Sequence, residues 1–359
     1  MSTSADLLTL LGTALPIVQA PMAGGFDTPD LIAAVSGAGA LGSAGAAYLT
    51  PAAIREYADA IRARTQRPFS VNLFAGGIES RDVDPAAMLA VLAPLHERFG
   101  LPPPVAPGAW PYDFDEQLDA LVAADVRIIS FTFGLPSDDR IAQLRADGRV
   151  VIGTATTVAE ALRCEAAGCS AVIAQGSEAG GHRGTFIGAF ESAMTGLMAL
   201  VPQMVDAVRI PVIAAGGIMD RRGVAAARAL GASGVMCGTA FLDTAEAGSS
   251  AAYRHAMAAA RDGDTVITRA FSGRPARGLA NTFERAVDAC PGDILPYPKQ
   301  NALTRPMRTA AAAANDPEYL SLWAGQATPL AMHDVRAADV VAELGLGWPP
   351  YAQHDTMID

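Results

Sequence analysis

Eight short apolar runs, each followed by a longer alanine-rich stretch, set the strongest limit on how this chain can fold. They span residues 17–20, 40–43, 69–73, 126–131, 150–153, 171–175, 212–215 and 234–237. Each is nearly continuous in apolar residues, as a strand buried on both faces must be. The segments between them carry helix-start signals. Thr28-Pro29-Asp30 and Thr50-Pro51 place proline where a missing amide costs nothing. Asp220 is positioned to cap a helix over 221–230 that Gly231 ends. Eight strand–helix alternations predict an α/β fold, a parallel TIM-type (β/α)8 barrel. A doubly wound open sheet produces a similar pattern.

Two regions break the rhythm. Residues 75–115 are proline-rich (Pro102-Pro103-Pro104, Pro107, Pro111) and predict an insertion after the third strand. Everything beyond about residue 243 exceeds a barrel. The expected organisation is a barrel core over 1–242, a mainly helical cap over 243–320, and a segment over 321–359 that returns to the barrel.

Composition removes several classes of function. A net charge of −11 opposes nucleic acid and anionic membranes as partners. No apolar run approaches the roughly 20 residues of a membrane span. Met1 to Asp6 lacks a basic region followed by an apolar core, so a cytoplasmic location is expected. Cys164, Cys169, Cys237 and Cys290 have no metal-binding or redox spacing and read as reduced apolar fillers. Neither an H-E-x-x-H zinc motif nor a Ser–His–Asp arrangement occurs, and no metal is expected. His96, His255, His333 and His354 read as surface groups. Of the 26 Lys and Arg residues, only Lys299 is a lysine.

In a parallel barrel, chemistry gathers at the C-terminal strand ends. The first strand ends in Ala20-Pro21-Met22, the third carries Asn72, and the sixth ends in Gln175. A glycine loop follows, Gly176-Ser177-Glu178-Ala179-Gly180-Gly181-His182-Arg183-Gly184. The seventh ends in Gly216-Gly217 and the eighth in Met236-Cys237-Gly238-Thr239. Two glycine turns that lead into helices direct backbone amides at one point, where barrels commonly hold a phosphate. Asn72 and Gln175 can each donate and accept along the edge of a flat ring. Pro21 and Met22 can pack on its face. One phosphate plus one flat polar ring is most simply FMN. No G-x-G-x-x-G follows an early strand, which disfavours a dinucleotide fold. His182 is the candidate acid–base group. Glu178 and Arg183 read either as part of that site or as a solvated surface pair.

These segments resemble the nitronate monooxygenases of the bacterial class I type, formerly called 2-nitropropane dioxygenases. The resemblance runs through Gln19-Ala20-Pro21-Met22, Asn72, Ser130-Phe131-Thr132-Phe133-Gly134 and the loop from Gln175 to Gly184. It continues through Gly216-Gly217-Ile218, Gly238-Thr239-Ala240-Phe241 and Trp323-Ala324-Gly325-Gln326. Flavin-dependent enoyl-carrier-protein reductases carry a similar Glu-Ala-Gly-Gly-His loop. The Ser-Phe-Thr-Phe-Gly and Trp-Ala-Gly-Gln segments separate the two groups better.

The resemblance implies an FMN-bearing barrel with an added cap. It places the flavin against Pro21, Met22, Asn72, Gln175, Gly180, Gly217, Met236, Cys237, Gly238 and Thr239. It makes His182 the active-site histidine and puts Tyr297 in the substrate pocket; position in the cap nominates Lys299 for the same pocket. The implied reaction oxidises alkyl nitronates, such as propionate 3-nitronate, with dioxygen to a carbonyl compound and nitrite. An NAD(P)H-dependent reductase of enoyl thioesters or quinones is the alternative on the same barrel, and a non-catalytic flavin binder is a third reading. The expected partners are a small nitronate and dioxygen, with the protein a monomer or homodimer. An anionic substrate needs local positive charge, for which protonated His182, Arg183, Arg274, Arg277 and Lys299 are candidates.

Overall fold

The computed structural model describes residues 3–77, 83–108, 110–289 and 294–349. Cys290 and His354 lie outside the described residues. The strands are β1 (Ile17–Gln19), β2 (Gly42–Gly45), β3 (Phe69–Phe74), β4 (Ile128–Thr132), β5 (Val150–Ala155) and β6 (Ala171–Gln175). They continue as β7 (Gly181–His182), β8 (Val212–Ala215), β9 (Gly234–Cys237), β10 (Thr265–Thr268) and β11 (Ala276–Leu279). Eight of them pair in parallel in the order β1-β9-β8-β6-β5-β4-β3-β2. A parallel bridge between Val18 and Leu41 brings β1 and β2 together, so the sheet curls into a nearly closed TIM-like barrel.

Side-chain alternation along the strands sorts the core into two layers. Val18, Ile128, Ile152, Ile173, Ile213 and Met236 fill the interior. Their neighbours Ile17, Ile129, Val151, Val172 and Val235 pack outward against the helices. The first helix, Ser4–Leu11, closes the N-terminal end, with Leu7 and Leu11 fully buried among the interior residues. Helix Ala337–Gly345 lies against β1 and against helices Pro29–Gly37 and Arg221–Ala229, near the start of the chain.

A second hydrophobic core forms outside the barrel. Met88 and Leu92, from helix Ala86–Arg98 of the proline-rich insertion, join Tyr253, Phe271, Phe283, Leu303, Met307 and Leu322. The insertion therefore packs with the C-terminal region. That region contains helices Ala251–Ala259, Thr282–Asp288 and Lys299–Ala313, but also the hairpin β10–β11. The hairpin has no counterpart among the strands expected from the sequence. β11 pairs antiparallel with both β10 and β7, and so ties the cap to the loop after β6. No helix among the described residues is long and apolar enough to cross a membrane.

The fully buried Leu11 gives a direct check on the helix that closes the barrel. Leu11→Ala should lower stability by about 2–5 kcal/mol, the usual range for emptying such a site. Equilibrium urea denaturation would measure it. A loss well under about 1 kcal/mol would mean that this helix does not seal the core.

Candidate active site

The interior residues of the barrel lead directly to the site. Two positions beyond Ile128, Ile152 and Ile173 on the same strand faces stand Ser130, Thr154 and Gln175. Above them opens a cavity of about 490 Å³, within the roughly 300–1,000 Å³ range of small-molecule sites. The structure brings Pro21, Met22, Asn72, Gln175, Gly180, His182, Gly217, Met236, Cys237, Gly238 and Thr239 together around it. The cap supplies the opposite wall, including Tyr253, Asn301, Arg305, Arg308 and Trp323.

Asn72 is oriented by its strand partners. Register sets Asn72 opposite Ser130 and Phe74 opposite Thr132. Its Nδ2 donates to Ser130 Oγ at 2.9 Å and to Thr132 Oγ1 at 3.2 Å. Both amide hydrogens are thus engaged, which leaves the Oδ1 acceptor for the cavity. This gives the Ser130–Gly134 motif a physical role, since its two hydroxyls decide which end of Asn72 faces a ligand.

Gln175 is tied to its own loop. Its Nε2 donates to the His182 carbonyl at 3.0 Å, and its Oε1 accepts from Gly184 N at 2.8 Å. Arg183 and Glu178 form no solvated pair. Arg183 is buried and donates to the carbonyls of Gln175 and Ala193. The Glu178 carboxylate accepts from Leu197 N, at the start of helix Leu197–Ala207, at 2.8 and 3.0 Å. Both therefore brace the loop, because a charge this deep in the fold must find partners.

The glycine turns after β8 and β9 both line the cavity. Gly216 and Gly217 take φ of +122° and +67°, a region that side chains disfavour. A Cβ on Gly180 would lie 2.6 Å from Gly325 N, so only glycine permits this approach. Thr239 Oγ1 accepts from Gly325 N at 3.1 Å, and its own hydrogen remains to donate into the cavity. Gln326 N donates to the Glu178 carbonyl at 3.0 Å. Through these bonds the Trp323–Gln326 segment fastens the C-terminal region to the glycine loop. Burial pushes the Cys237 thiol up to about 12, so it carries no negative charge beside these turns.

His182 sits in an aromatic box. Its ring centroid lies 5.5 Å from Trp323, 5.8 Å from Phe133, 6.0 Å from Tyr297 and 6.5 Å from Phe74. Burial, reinforced by the Arg274 and Arg308 guanidiniums, lowers its pKa to about 3. The ring is therefore neutral near pH 7 and cannot serve as the expected positive charge. Arg183 and Arg277 are engaged by loop carbonyls. Arg274 stacks 3.9 Å from the Phe133 ring centroid.

Positive charge on the cavity wall comes instead from Arg305 and Arg308 of helix Lys299–Ala313. Burial lowers Arg308 only to about 10, so it stays charged. Its guanidinium is held by Asn301, Thr304 and Ser321. Asn301, Arg305, Arg308 and Ala312 recur at spacings of four, three and four, the pattern of one helix face. That periodicity was the available signal for these two residues. Lys299 opens the same helix but does not line the cavity. Tyr297 is one layer back: it is buried, and its hydroxyl lies 3.4 Å from that of Tyr48, which does line the cavity.

With this geometry in view, relatives can be compared. The sequence model of the nitronate monooxygenase family matches residues 6–347. The chain belongs to the nitronate monooxygenase family. A probable nitronate monooxygenase of Staphylococcus aureus (strain Newman) is 44% identical over 327 residues, covering 90% of this chain and 92% of the relative. One from Staphylococcus saprophyticus is 41% identical over 336 residues, covering 93% and 94%. Among solved structures, the nitroalkane oxidase of Streptomyces ansochromogenes is similar, with a TM-score of 0.86 and 40% identity over 95% of this chain and 98% of that one. FabK from Thermotoga maritima is also similar, with a TM-score of 0.75 and 30% identity over 97% and 96%. Nitronate monooxygenases are flavin-dependent oxidoreductases.

The loop that carries Met22 depends on a buried carboxyl. Asp27 Oδ2 accepts from Met22 N at 2.9 Å and Gly45 N at 2.5 Å. Burial outweighs those bonds and raises its pKa from 3.8 to about 8. Between those values the folded protein binds more protons than the unfolded chain. Asp27's contribution is complete below 3.8 and is lost as pH rises towards 8. Asp27→Asn removes that dependence while keeping an acceptor. The variant should gain on the wild type by roughly 1.4 kcal/mol per pH unit between about 4 and 8. Denaturation across that window checks it, and a difference independent of pH would refute it.

Proposed function

We propose that the cavity holds FMN and that the protein oxidises small anionic nitronates with dioxygen to carbonyl compounds and nitrite. The carrying observation is the pairing of glycine turns on the barrel with an arginine-bearing cap helix across one cavity. In this reading the amides of Gly216, Gly217 and Gly238 and the Thr239 hydroxyl receive the phosphate. Asn72 Oδ1 meets a ring N–H, Gln175 lies near the ring edge, and Pro21 and Met22 cover its face. The chemistry supplied by a bound flavin is electron transfer from substrate to dioxygen.

The protein's own residues have separate tasks. Arg305 and Arg308 attract and orient the anion, against a global charge of −11 that would otherwise repel it. Phe133, Trp323 and Tyr297 exclude water from the side of His182. His182, neutral and therefore with a free lone pair, takes the α-proton when the substrate arrives as a neutral nitroalkane. A nitronate with a second anionic group, such as propionate 3-nitronate, suits two arginines better than a simple alkyl nitronate does.

Anaerobic mixing of the flavin-loaded protein with propionate 3-nitronate tests the reading. Loss of the oxidised flavin absorbance is expected, and an unreduced flavin would remove it. The Glu-Ala-Gly-Gly-His loop, similar to that of flavin-dependent enoyl-carrier-protein reductases, keeps a reductase in view, which rapid NADH oxidation with a crotonyl thioester would favour. The Arg305 side chain makes no hydrogen bond to another described residue, so its loss should spare the fold. Arg305→Ala should raise KM for propionate 3-nitronate about 10- to 100-fold, the worth of one charge-assisted hydrogen bond. The rise should be smaller for ethyl nitronate. Equal effects on both substrates would show that Arg305 does not read the second anionic group.

A further inference from the structure

We infer that the Ser272 hydroxyl fixes the tautomer of His182, holding a hydrogen on Nε2 and leaving the Nδ1 lone pair as the base. The inference rests on the reading of His182 as a base and names its reacting atom and its positioning residue.

Ser272 Oγ makes three contacts. It lies 2.8 Å from His182 Nε2, 3.1 Å from the Arg274 carbonyl, and 3.3 Å from Arg274 N. A hydroxyl has one hydrogen and two lone pairs. The carbonyl can only accept, so it takes the hydroxyl hydrogen. The backbone N–H can only donate, so it takes one lone pair. All three contacts are satisfied only if His182 Nε2 carries a hydrogen and donates to the second lone pair. Turning the hydroxyl towards His182 would break the contact with the carbonyl.

The serine is well placed to impose this choice. It is 1% exposed. The next residue, Gly273, takes φ +85°, and a Cβ there would lie 2.2 Å from the Leu295 carbonyl and 2.6 Å from Tyr297 N. The turn is thus locked against the segment before the cap helix. Nδ1 has no hydrogen-bond partner among the described residues. Nδ1 keeps some solvent exposure and is open to the cavity that His182 lines. Burial, with Arg274 and Arg308, opposes a second proton on the ring.

For a neutral nitroalkane the step balances. The α C–H bond breaks, an N–H bond forms on Nδ1, and the bonding pair moves into the C=N bond of the nitronate. His182 becomes an imidazolium whose Nε2–H still donates to Ser272. The Arg305 and Arg308 side of the cavity then faces the new anion.

Nitrogen-15 NMR of the histidine-labelled holoprotein reads the tautomer without turnover, with His182 assigned by its loss in His182→Gln. A protonated Nε2 and a bare Nδ1 are expected at neutral pH. Ser272→Ala should shift both nitrogens towards averaged values. An Nδ1–H in the wild type, or an unchanged His182 signal in Ser272→Ala, overturns the proposal. In turnover, Ser272→Ala should lower the ratio of nitroethane to ethyl nitronate kcat/KM about tenfold, through kcat, the worth of one hydrogen bond. Ser272→Thr, which keeps the hydroxyl, should restore most of that ratio. An equal loss on both substrates would mark Ser272 as merely structural and overturn its positioning role. Undiminished nitroethane turnover in His182→Gln would instead remove the base reading, while the NMR result on the tautomer would still stand.

Discussion

The pairing of β7 with β11 is the constraint on which the site depends. β7 is only two residues, Gly181 and His182, and a strand that short has no stability of its own. It exists because Ala276 and Arg277 of the cap pair with it, and because Arg183 N donates to the Pro275 carbonyl at 2.9 Å. The barrel brings the loop to the cavity, but the cap sets its conformation. Ser272 lies four residues before the paired strand and Trp323 bridges to Gly278 of the same strand, so the residues around His182 are tied to β11. Loosening the cap would therefore disturb the His182 loop even if the barrel stayed folded.

Much of this was legible in the sequence. The eight barrel strands stand out because strands buried on both faces must be continuous apolar runs, and the glycine turns at the ends of β8 and β9 mark where amides are exposed. The second strand starts at Gly42 rather than residue 40 because Gly42-Ser43-Ala44-Gly45 is small and scarcely apolar, so hydrophobicity alone misplaces it. β10 and β11 escaped notice for a different reason. Ala276-Arg277-Gly278-Leu279 has no alternating pattern, and it becomes a strand only through its partners on both sides. Tertiary context overrides propensity there.

The site residues divide in the same way. Asn72, Gln175 and the glycines were visible because residue type and position at a strand end suffice to nominate them. Their orientation was not visible. Whether Asn72 offers its oxygen or its nitrogen depends on hydroxyls 58 and 60 residues away in sequence, brought near by register. Arg305 and Arg308 were hidden because charges on a helix ordinarily face water, and only packing shows that this face looks into a cavity. The ionisation of His182 was misread for the same reason. Desolvation is a property of the assembled aromatic box and of nothing in the local sequence.

That misreading has a constructive side. A single group that both attracts an anion and removes a proton faces contradictory demands, since attraction needs the charged form and abstraction needs the neutral one. Arginine stays charged even when burial lowers Arg308 to about 10, so it can carry the attraction alone. The same positive charge helps keep the nearby imidazole neutral. Under the proposed function, neutral histidine and charged arginine are therefore parts of one arrangement, in which burial and the neighbouring guanidiniums keep the imidazole unprotonated while arginine carries the attraction. Once a proton has passed to His182, the nitronate left behind offsets the repulsion between imidazolium and guanidinium. In that proposed cycle, the arrangement disfavours the proton on the resting protein and accepts it alongside the anion that its transfer creates.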